Sequence, residues 1–369
     1  MQKTGRFQLW CQSNISKDFL TNRIQKVVLP TCSPAWINLY QGVPQGTILG
    51  PLLFNLYINT MQFNIVKPCE LVQYASDTFL FSAATEMNGA ISNRQMNIEN
   101  LVTFFELHKL NLNENKTEFI VFSKQSRSHL KSNSNLKVKN ELIQHSSNVK
   151  YLGVFLDQNL NFQEETKHIL LKMACGIKTI LSIRNYFPEK VLLTLLNALV
   201  MSHLHYQSIL LNGISQNLIT TLEKQLSWGV KACFHRKKFE SSRDLKINFQ
   251  ILPIRLFLDL KAVTYFWKWK NNLLPAFQEH HLLPTARIRM HERTGLLTYN
   301  AHRNSKFMED SFFRRAVPVW STLPRGLLKR KYSPETIKTK LKLFFAAKIQ
   351  NEIDRPEYAK KCWGNYRFT

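Results

Sequence analysis

The sequence predicts an α+β chain in two parts, the first mixing strands with helices and the second mostly α. Three observations carry this. Over the first 160 or so residues, short apolar runs of strand length alternate with helical periodicity. From Phe162 onward the apolar positions recur at helical spacing over long stretches. The chain of 369 residues is 44% hydrophobic, which supports a sizeable core and two or three structural units.

Taken in order, Val27-Val28-Leu29 reads as a strand and Ile48 to Met61 as a helix. Leu71 to Phe81 has two apolar runs around a polar centre and reads as a hairpin turning at Ser76-Asp77. Ser123 to Asn135, rich in Ser, Lys and Asn, reads as a loop before a strand pair, Leu136 to Val138 and Val149 to Leu156. A boundary falls near Asn161, giving regions 1–161, 162–272 and 273–369.

Helical periodicity then covers Thr166 to Arg184, Glu189 to Tyr206, Leu218 to Phe234 and Ile254 to Lys270. Pro188 and Pro253 stand where a first turn begins, a place that tolerates a missing amide proton. Pro275, Pro284, Pro318 and Pro324 break up residues 275–330, and Ser333-Pro334 opens a last basic amphipathic helix to about Gln350. There is no internal repeat and no low-complexity tract.

Charge narrows the function classes. Fifty Lys+Arg against 25 Asp+Glu give +25, a field able to hold a polyanion by counterion release. Residues 1–170 carry 16 basic and 12 acidic side chains, whereas residues 171–369 carry 34 and 13, so the second half is the polyanion-binding half. The six cysteines (Cys11, Cys32, Cys69, Cys175, Cys233 and Cys362) form no Cys-x-x-Cys pair, which argues against a zinc knuckle and for reduced thiols. Val191 to Met201 is too short and interrupted to span a bilayer, and no secretion leader is recognisable. Cytoplasm or nucleus is the expected location, with no membrane partner.

Several local patterns invite chemistry. Gln41-Gly42-Val43-Pro44-Gln45-Gly46-Thr47-Ile48-Leu49-Gly50 is a Gly/Pro turn running into an apolar helix, and its glycines permit close backbone approach. Tyr74-Ala75-Ser76-Asp77 lies at a hairpin tip, where carboxylates project well; Asp77 is as readily a turn residue as a metal ligand. Lys116, in Asn113-Glu114-Asn115-Lys116, is by itself a solvated turn cation, and Tyr151-Leu152-Gly153 a core strand with a glycine bulge. Phe266-Trp267-Lys268-Trp269-Lys270 could stack bases and neutralise phosphates, although Trp267 equally suits a core anchor. His203, His205, His280 and His281 lack Cys or acidic neighbours at ligand spacing and read as structural.

Gln41 to Phe54 is similar to motif B of non-LTR, jockey-like retrotransposon reverse transcriptases, and Leu71 to Phe81 to their motif C hairpin. Upstream, Leu9-Trp10 with Phe19 to Gln25 keeps family order; downstream, Leu112 to Thr117 resembles motif D and Val149 to Asp157 the motif E hairpin. A looser match continues through Phe312 to Trp320 towards residue 350. The resemblance is to the C-terminal half of such an enzyme. It implies a partial palm over 1–161, a helical thumb over 162–272 and a basic C-terminal region over 273–369.

It further implies RNA-directed DNA polymerase activity on an RNA template and a DNA primer or target, with dNTP and Mg2+ as the reagents. Gly42, Pro44, Gln45 and Gly46 would lie beside nucleotide and template, Lys116 near the phosphates, and Tyr151, Leu152 and Gly153 would grip the primer. Asp77 would be the remaining catalytic and metal-binding carboxylate. The family carries two aspartates in motif C and another on an earlier strand; here Ser76 holds the first motif C position, and nothing before Gln41 resembles the other strand. A hydroxyl is a poor substitute for an anionic oxygen on paired cations. The expectation is a catalytically impaired fragment that keeps nucleic-acid affinity. The alternatives are an active enzyme with a truncated gene model and a domesticated, non-catalytic RNA/DNA-binding protein.

Overall fold

The computed structural model describes residues 14–31, 33–83, 87–122, 135–274, 288–290, 297–299, 312–324, 326–327 and 332–353. The chain divides into two compact units, Met1–Val121 with Gln125–Ser146, and Phe122–Lys124 with Ser147–Thr369.

In the first unit, α1 (Asn14–Leu20) leads into β1 (Arg23–Gln25), which pairs antiparallel with β2 (Ile37–Leu39). The strand expected at Val27-Val28-Leu29 therefore lies earlier. Val27 and Val28 stand 57% and 68% exposed, and Pro30 behind them offers no amide to a ladder. Next, α2 (Leu49–Ile58) tightens into a 3-10 segment, Asn59–Asn64, ahead of β3 (Glu70–Tyr74) and β4 (Asp77–Phe81). The 21-residue α3 (Met87–Leu107) closes over these through Leu101 and Phe104, which bury with Ile58 and Met61. Fully buried Asn97 makes the junction specific: its amide accepts from Val66 N at 2.7 Å and donates to Val66 O at 3.1 Å, satisfying a loop backbone that has no strand partner.

A second hairpin, β5 (Leu136–Val138) with β6 (Glu141–Ile143), packs Leu136 against Phe119 and Val121. Leu136 to Val138 does not pair with the Val149 segment, because each segment finds its partner across its own short turn. In place of one continuous sheet, the described residues form separate two-stranded antiparallel ribbons. The Ser123 to Asn135 loop lies outside the described residues except for Asn135.

The second unit begins with β7 (Asn148–Tyr151) and β8 (Val154–Asp157), so this hairpin belongs with the helices that follow. Asp157 shows why the chain turns there: its carboxylate accepts from the amides of Asn159, Asn161 and Phe162, at 3.1, 3.1 and 2.7 Å. These bonds launch α4 (Gln163–Ile183), whose Ile169, Met173, Ile177 and Ile180 are all at most 1% exposed. The stretch read as one helix from Glu189 to Tyr206 is α5 (Glu189–Leu196), a π-helical turn (Asn197–Met201) and α6 (Ser202–Gln207). Close approach accompanies that turn: a Cβ on Gly176 of α4 would stand 2.6 Å from the Leu199 carbonyl oxygen.

Helices α7 (Gln216–Cys233), α8 (Arg243–Asn248) and α9 (Ile254–Lys270) complete the centre, with Pro188 and Pro253 at the N-cap positions of α5 and α9. Around them lie α10 (Phe312–Ser321), α11 (Pro334–Ala346) and α12 (Ile349–Ile353); Ser333 caps α11 by accepting from Thr336 N, as Ser-Pro predicts. A short ribbon, β9 (Ile288–Met290) with β10 (Leu297–Tyr299), also belongs to this unit. One core runs through these helices, from Ile169 to Ile353.

Inside it sits an ion pair. Lys246 is fully buried and bonds Glu223 and, at 2.7 Å, the Ser227 hydroxyl, while the second Glu223 oxygen accepts from Ile254 N at 2.5 Å. One carboxylate thus joins α7, α8 and the first turn of α9. Removing its cation leaves a buried charge uncompensated, so Lys246→Met is expected to lower unfolding free energy by about 3–5 kcal/mol. Urea denaturation checks this, and a loss under about 1 kcal/mol would contradict it.

Candidate functional site

The Gly/Pro turn is held from outside and from within. Arg23, at the start of β1, donates from Nε to Leu20 O at 3.0 Å and from Nη2 to Gly42 O at 2.6 Å and Gln41 O at 3.3 Å. Gly42 and Gly46 have φ of +78° and +77°, a region L side chains rarely adopt. Thr47 Oγ1 then donates to Pro44 O at 2.8 Å and accepts from Gly50 N at 3.2 Å, starting α2. Gly50 meets a different demand, since a Cβ there would stand 2.7 Å from the Pro44 oxygen. Gln45 and Gly46 remain exposed at the tip.

The β3–β4 register pairs Tyr74 with Asp77, which makes Ala75-Ser76 the two-residue turn. The turn expected at Ser76-Asp77 is displaced by one residue, because Ala75 takes up the left-handed conformation at φ +50°. Asp77 is therefore the first residue of β4, exposed, and Ser76 occupies the apex. Lys116 ends a 3-10 turn, Glu114–Lys116, capped by the Asn113 side chain, and its side chain is exposed. These groups all lie in the first unit, whereas Tyr151, Leu152 and Gly153 lie in the second.

The β7–β8 hairpin carries no bulge. Its register is unbroken from Asn148↔Asp157 to Tyr151↔Val154, and Leu152 and Gly153 form the turn, with φ of +47° and +80°. Tyr206 Oη donates to Leu152 O at 2.7 Å and fixes the turn to α6. The composition alone did not single out the polar side chains gathered here. Glu165, His168 and Lys172 recur at i, i+3 and i+7 on α4 and meet Ser202, His203, Tyr206 and Gln207 of α6 and Gly153 around a cavity of about 200 Å³. That helical spacing of polar residues was the available signal.

Metal chemistry has few donors. Among the described residues no group of three or more His, Cys, Asp or Glu side chains gathers in a way that could hold a cation. The donor set around Asp77 and Ser76 thus does not fit paired Mg2+. His203 and His205 are each held below the usual histidine range, first by burial and then by cations: Lys172 and His168 for His203, Lys261 and Lys338 for His205. His280 and His281 lie outside the described residues. Phe266 and Trp267 are 0% and 5% exposed, so they anchor the core and cannot stack bases; Lys268 and Lys270 are the exposed members of that stretch. Burial pushes the Cys233 thiol up to about 12, which leaves it inert. No helix among the described residues is long and apolar enough to cross a membrane.

Residues 7–156 match the family described as reverse transcriptase (RNA-dependent DNA polymerase). This part of the chain is similar to reverse transcriptases, and it includes the Gly/Pro turn and the β3–β4 hairpin. Its relatives include polymerases of jockey-like mobile elements. It is 25% identical over 161 residues to the RNA-directed DNA polymerase from mobile element jockey of Drosophila melanogaster, covering 42% of this chain and 17% of the relative. The probable RNA-directed DNA polymerase from transposon BS of the same species is 27% identical over 132 residues, covering 34% and 14%, and the Drosophila funebris jockey polymerase 25% over 153 residues, covering 40% and 16%. The matched stretch is about a sixth of the length of these relatives.

Two outcomes follow from the geometry. Gly50→Ala must move the Pro44 carbonyl and is expected to cost about 1–3 kcal/mol, whereas the exposed Gly89→Ala substitution, which meets nothing within 4 Å, should not. Denaturation of both variants checks this. For pH, a histidine whose folded pKa lies below its ordinary 6.5 binds fewer protons folded than unfolded, so stability is fully present above 6.5 and is lost as pH falls through the folded value. The urea midpoint should be lower at pH 5.5 than at pH 7.5, and His203→Gln should narrow the gap. A midpoint that rises on acidification contradicts the assignment.

Proposed function

We propose that this chain is a nucleic-acid-binding, reverse-transcriptase-derived protein with little or no capacity for nucleotidyl transfer. In this reading residues 1–161 are a partial palm, 162–272 a helical thumb and 273–369 a basic C-terminal region, acting on RNA and DNA strands. The observation that carries it is Ser76 at the apex of the β3–β4 turn. Transfer to a phosphoryl centre depends on divalent cations held by converging anionic oxygens, which neutralise developing charge and align attacking and leaving groups. Ser76 offers a neutral oxygen, and Asp77, the first residue of β4, is the acid beside it at the tip. The relatives' names attach RNA-directed DNA polymerase activity to proteins about six times the matched length; for this chain that activity is an inheritance of sequence.

Affinity rests on different residues. The excess of cations in residues 171–369, 34 against 13 acids, provides for phosphate neutralisation without any base-specific contact.

Primer extension with Mg2+, dNTP and an annealed RNA template and DNA primer tests the catalytic half of the proposal. No extension is expected, with Ser76→Asp run alongside to report whether that carboxylate is the sole deficit; robust extension by the unaltered chain would overturn it. Binding to RNA and DNA should weaken by about a thousandfold between 50 and 200 mM salt if roughly six phosphates are neutralised. A flat salt dependence would remove the electrostatic half.

A further inference from the structure

The cavity between α4, α6 and the β7–β8 turn has a division of labour among its polar groups. Glu165, fully buried, is saturated: one oxygen accepts from Phe155 N at 2.5 Å and the other from Gln207 Nε2 at 2.7 Å. The Tyr206 hydroxyl is committed to the Leu152 carbonyl. Gln207, 6% exposed, therefore has its amide orientation dictated by Glu165, and this leaves Oε1 buried with no hydrogen-bond partner. An unmet buried acceptor is destabilising, and a ligand donor would recover that loss. Lys172 supplies positive charge on the same wall, His168 and His203 imidazole nitrogens, and Ser202 a hydroxyl.

The backbone is shaped to this purpose. The π-helical turn Asn197–Met201 ends immediately before Ser202, and such turns re-aim the side chains that follow them. Ser202, His203, Tyr206 and Gln207, at i, i+1, i+4 and i+5, share one side of α6 and line the cavity with Glu165, His168 and Lys172.

We infer that this cavity is a sugar–phosphate site for single-stranded RNA, in which Lys172, His168 and His203 hold a phosphate and Gln207 Oε1 accepts from the neighbouring ribose 2′-hydroxyl. A cavity of about 200 Å³ suits one sugar–phosphate unit. Within a strand, the 2′-hydroxyl is the free sugar donor that every ribonucleotide carries whatever its base, and DNA lacks it. His203 fits an anion site independently of this, since it shares the cavity wall with Lys172 and His168, and Glu165, whose oxygens are already hydrogen-bonded, is the acid in that lining. The inference deepens the nucleic-acid reading above by naming which polymer one part of the second unit prefers and why.

The test is fluorescence anisotropy of the full chain with short RNA and DNA single strands of one sequence. The unaltered chain should bind RNA more tightly than DNA. Lys172→Ala should weaken both and lower the salt slope by about one. Gln207→Met, of similar volume, should bring the RNA-to-DNA affinity ratio down about tenfold, towards unity. Lys224→Ala, an exposed cation elsewhere on α7, should leave that ratio unchanged. Because Gln207→Met also removes a donor from Glu165, a second measurement guards against misfolding: 5′-AMP added to the unaltered chain should raise the pKa of the His203 imidazole seen by NMR, and 2′-deoxy-5′-AMP should do so more weakly.

An RNA-to-DNA ratio near one in the unaltered chain, or equal responses to the two nucleotides, would overturn the 2′-hydroxyl assignment while leaving general polyanion binding standing. Failure of both polymers to bind would overturn the wider reading as well. Binding of both with no loss in Lys172→Ala would place the polyanion elsewhere and sink the site alone.

Discussion

The buried carboxylate of Glu165 is the contact on which the order of the second unit's polar face depends. Its two oxygens accept from a strand amide and a glutamine amide, at Phe155 and Gln207. Charge-assisted hydrogen bonds of this kind are shorter and stronger than neutral ones, and in a low-dielectric setting the loss of either donor would leave an anion stranded. The hairpin β7–β8, the first turn of α4 and the end of α6 consequently hold one arrangement. Tyr206 repeats the tie from α6 to the hairpin turn with a neutral bond. Together these fix where Gln207 Oε1 and the surrounding cations face, so the geometry of the cavity follows from satisfying one acid.

A second acid does related work deeper in the core. Glu223 joins α7 to α8 through Lys246 and to α9 through the Ile254 amide, at a position Pro253 leaves open by capping α9 in an extended conformation. Two buried acids thus organise a unit whose surface is dominated by cations. Each of these two acids is matched by donors where it is buried, which burial of a charge requires. The first unit differs. Its small cores hold few residues, and Ile24, Trp36, Tyr40 and Ile48 stand exposed, Ile48 at 96%. Apolar surface of that extent is what a larger protein covers.

Much of this was legible in the sequence where periodicity or turn chemistry is strong. The 3.6-residue pattern of Ile254 to Lys270 marks α9 to the residue, and Ser333-Pro334 opens α11 as its cap chemistry dictates. Legibility failed where the outcome depends on contacts distant in sequence. Nothing local distinguishes Ala75-Ser76 from Ser76-Asp77 as the turn; the register of β3 on β4 decides it, through which side chains pack on α3. The π-helical turn within 197–201 is likewise a consequence of α4 passing close at Gly176, an interaction that hydropathy along one helix cannot express. Glu165 and Gln207 escaped notice because neither belongs to a motif, and only the fold brings them together.

The same distinction explains how catalytic capacity and affinity come apart in such a chain. Nucleotidyl transfer needs a few anionic oxygens within a fraction of an ångström of their productive positions, so one neutral residue at the hairpin apex, Ser76, is enough to change the cation-binding chemistry. Holding a polynucleotide depends on a summed field, to which each lysine or arginine contributes a small and largely interchangeable share. A chain with +21 net charge over residues 171–369 can lose several of those cations and still attract phosphates. The helical core beneath them is built from aliphatic and aromatic side chains, with Glu165 and Glu223 hydrogen-bonded within the same unit, and none of these lies at the hairpin tip. In the proposed reading, a neutral residue at the tip removes chemistry without removing the scaffold that carries the charge.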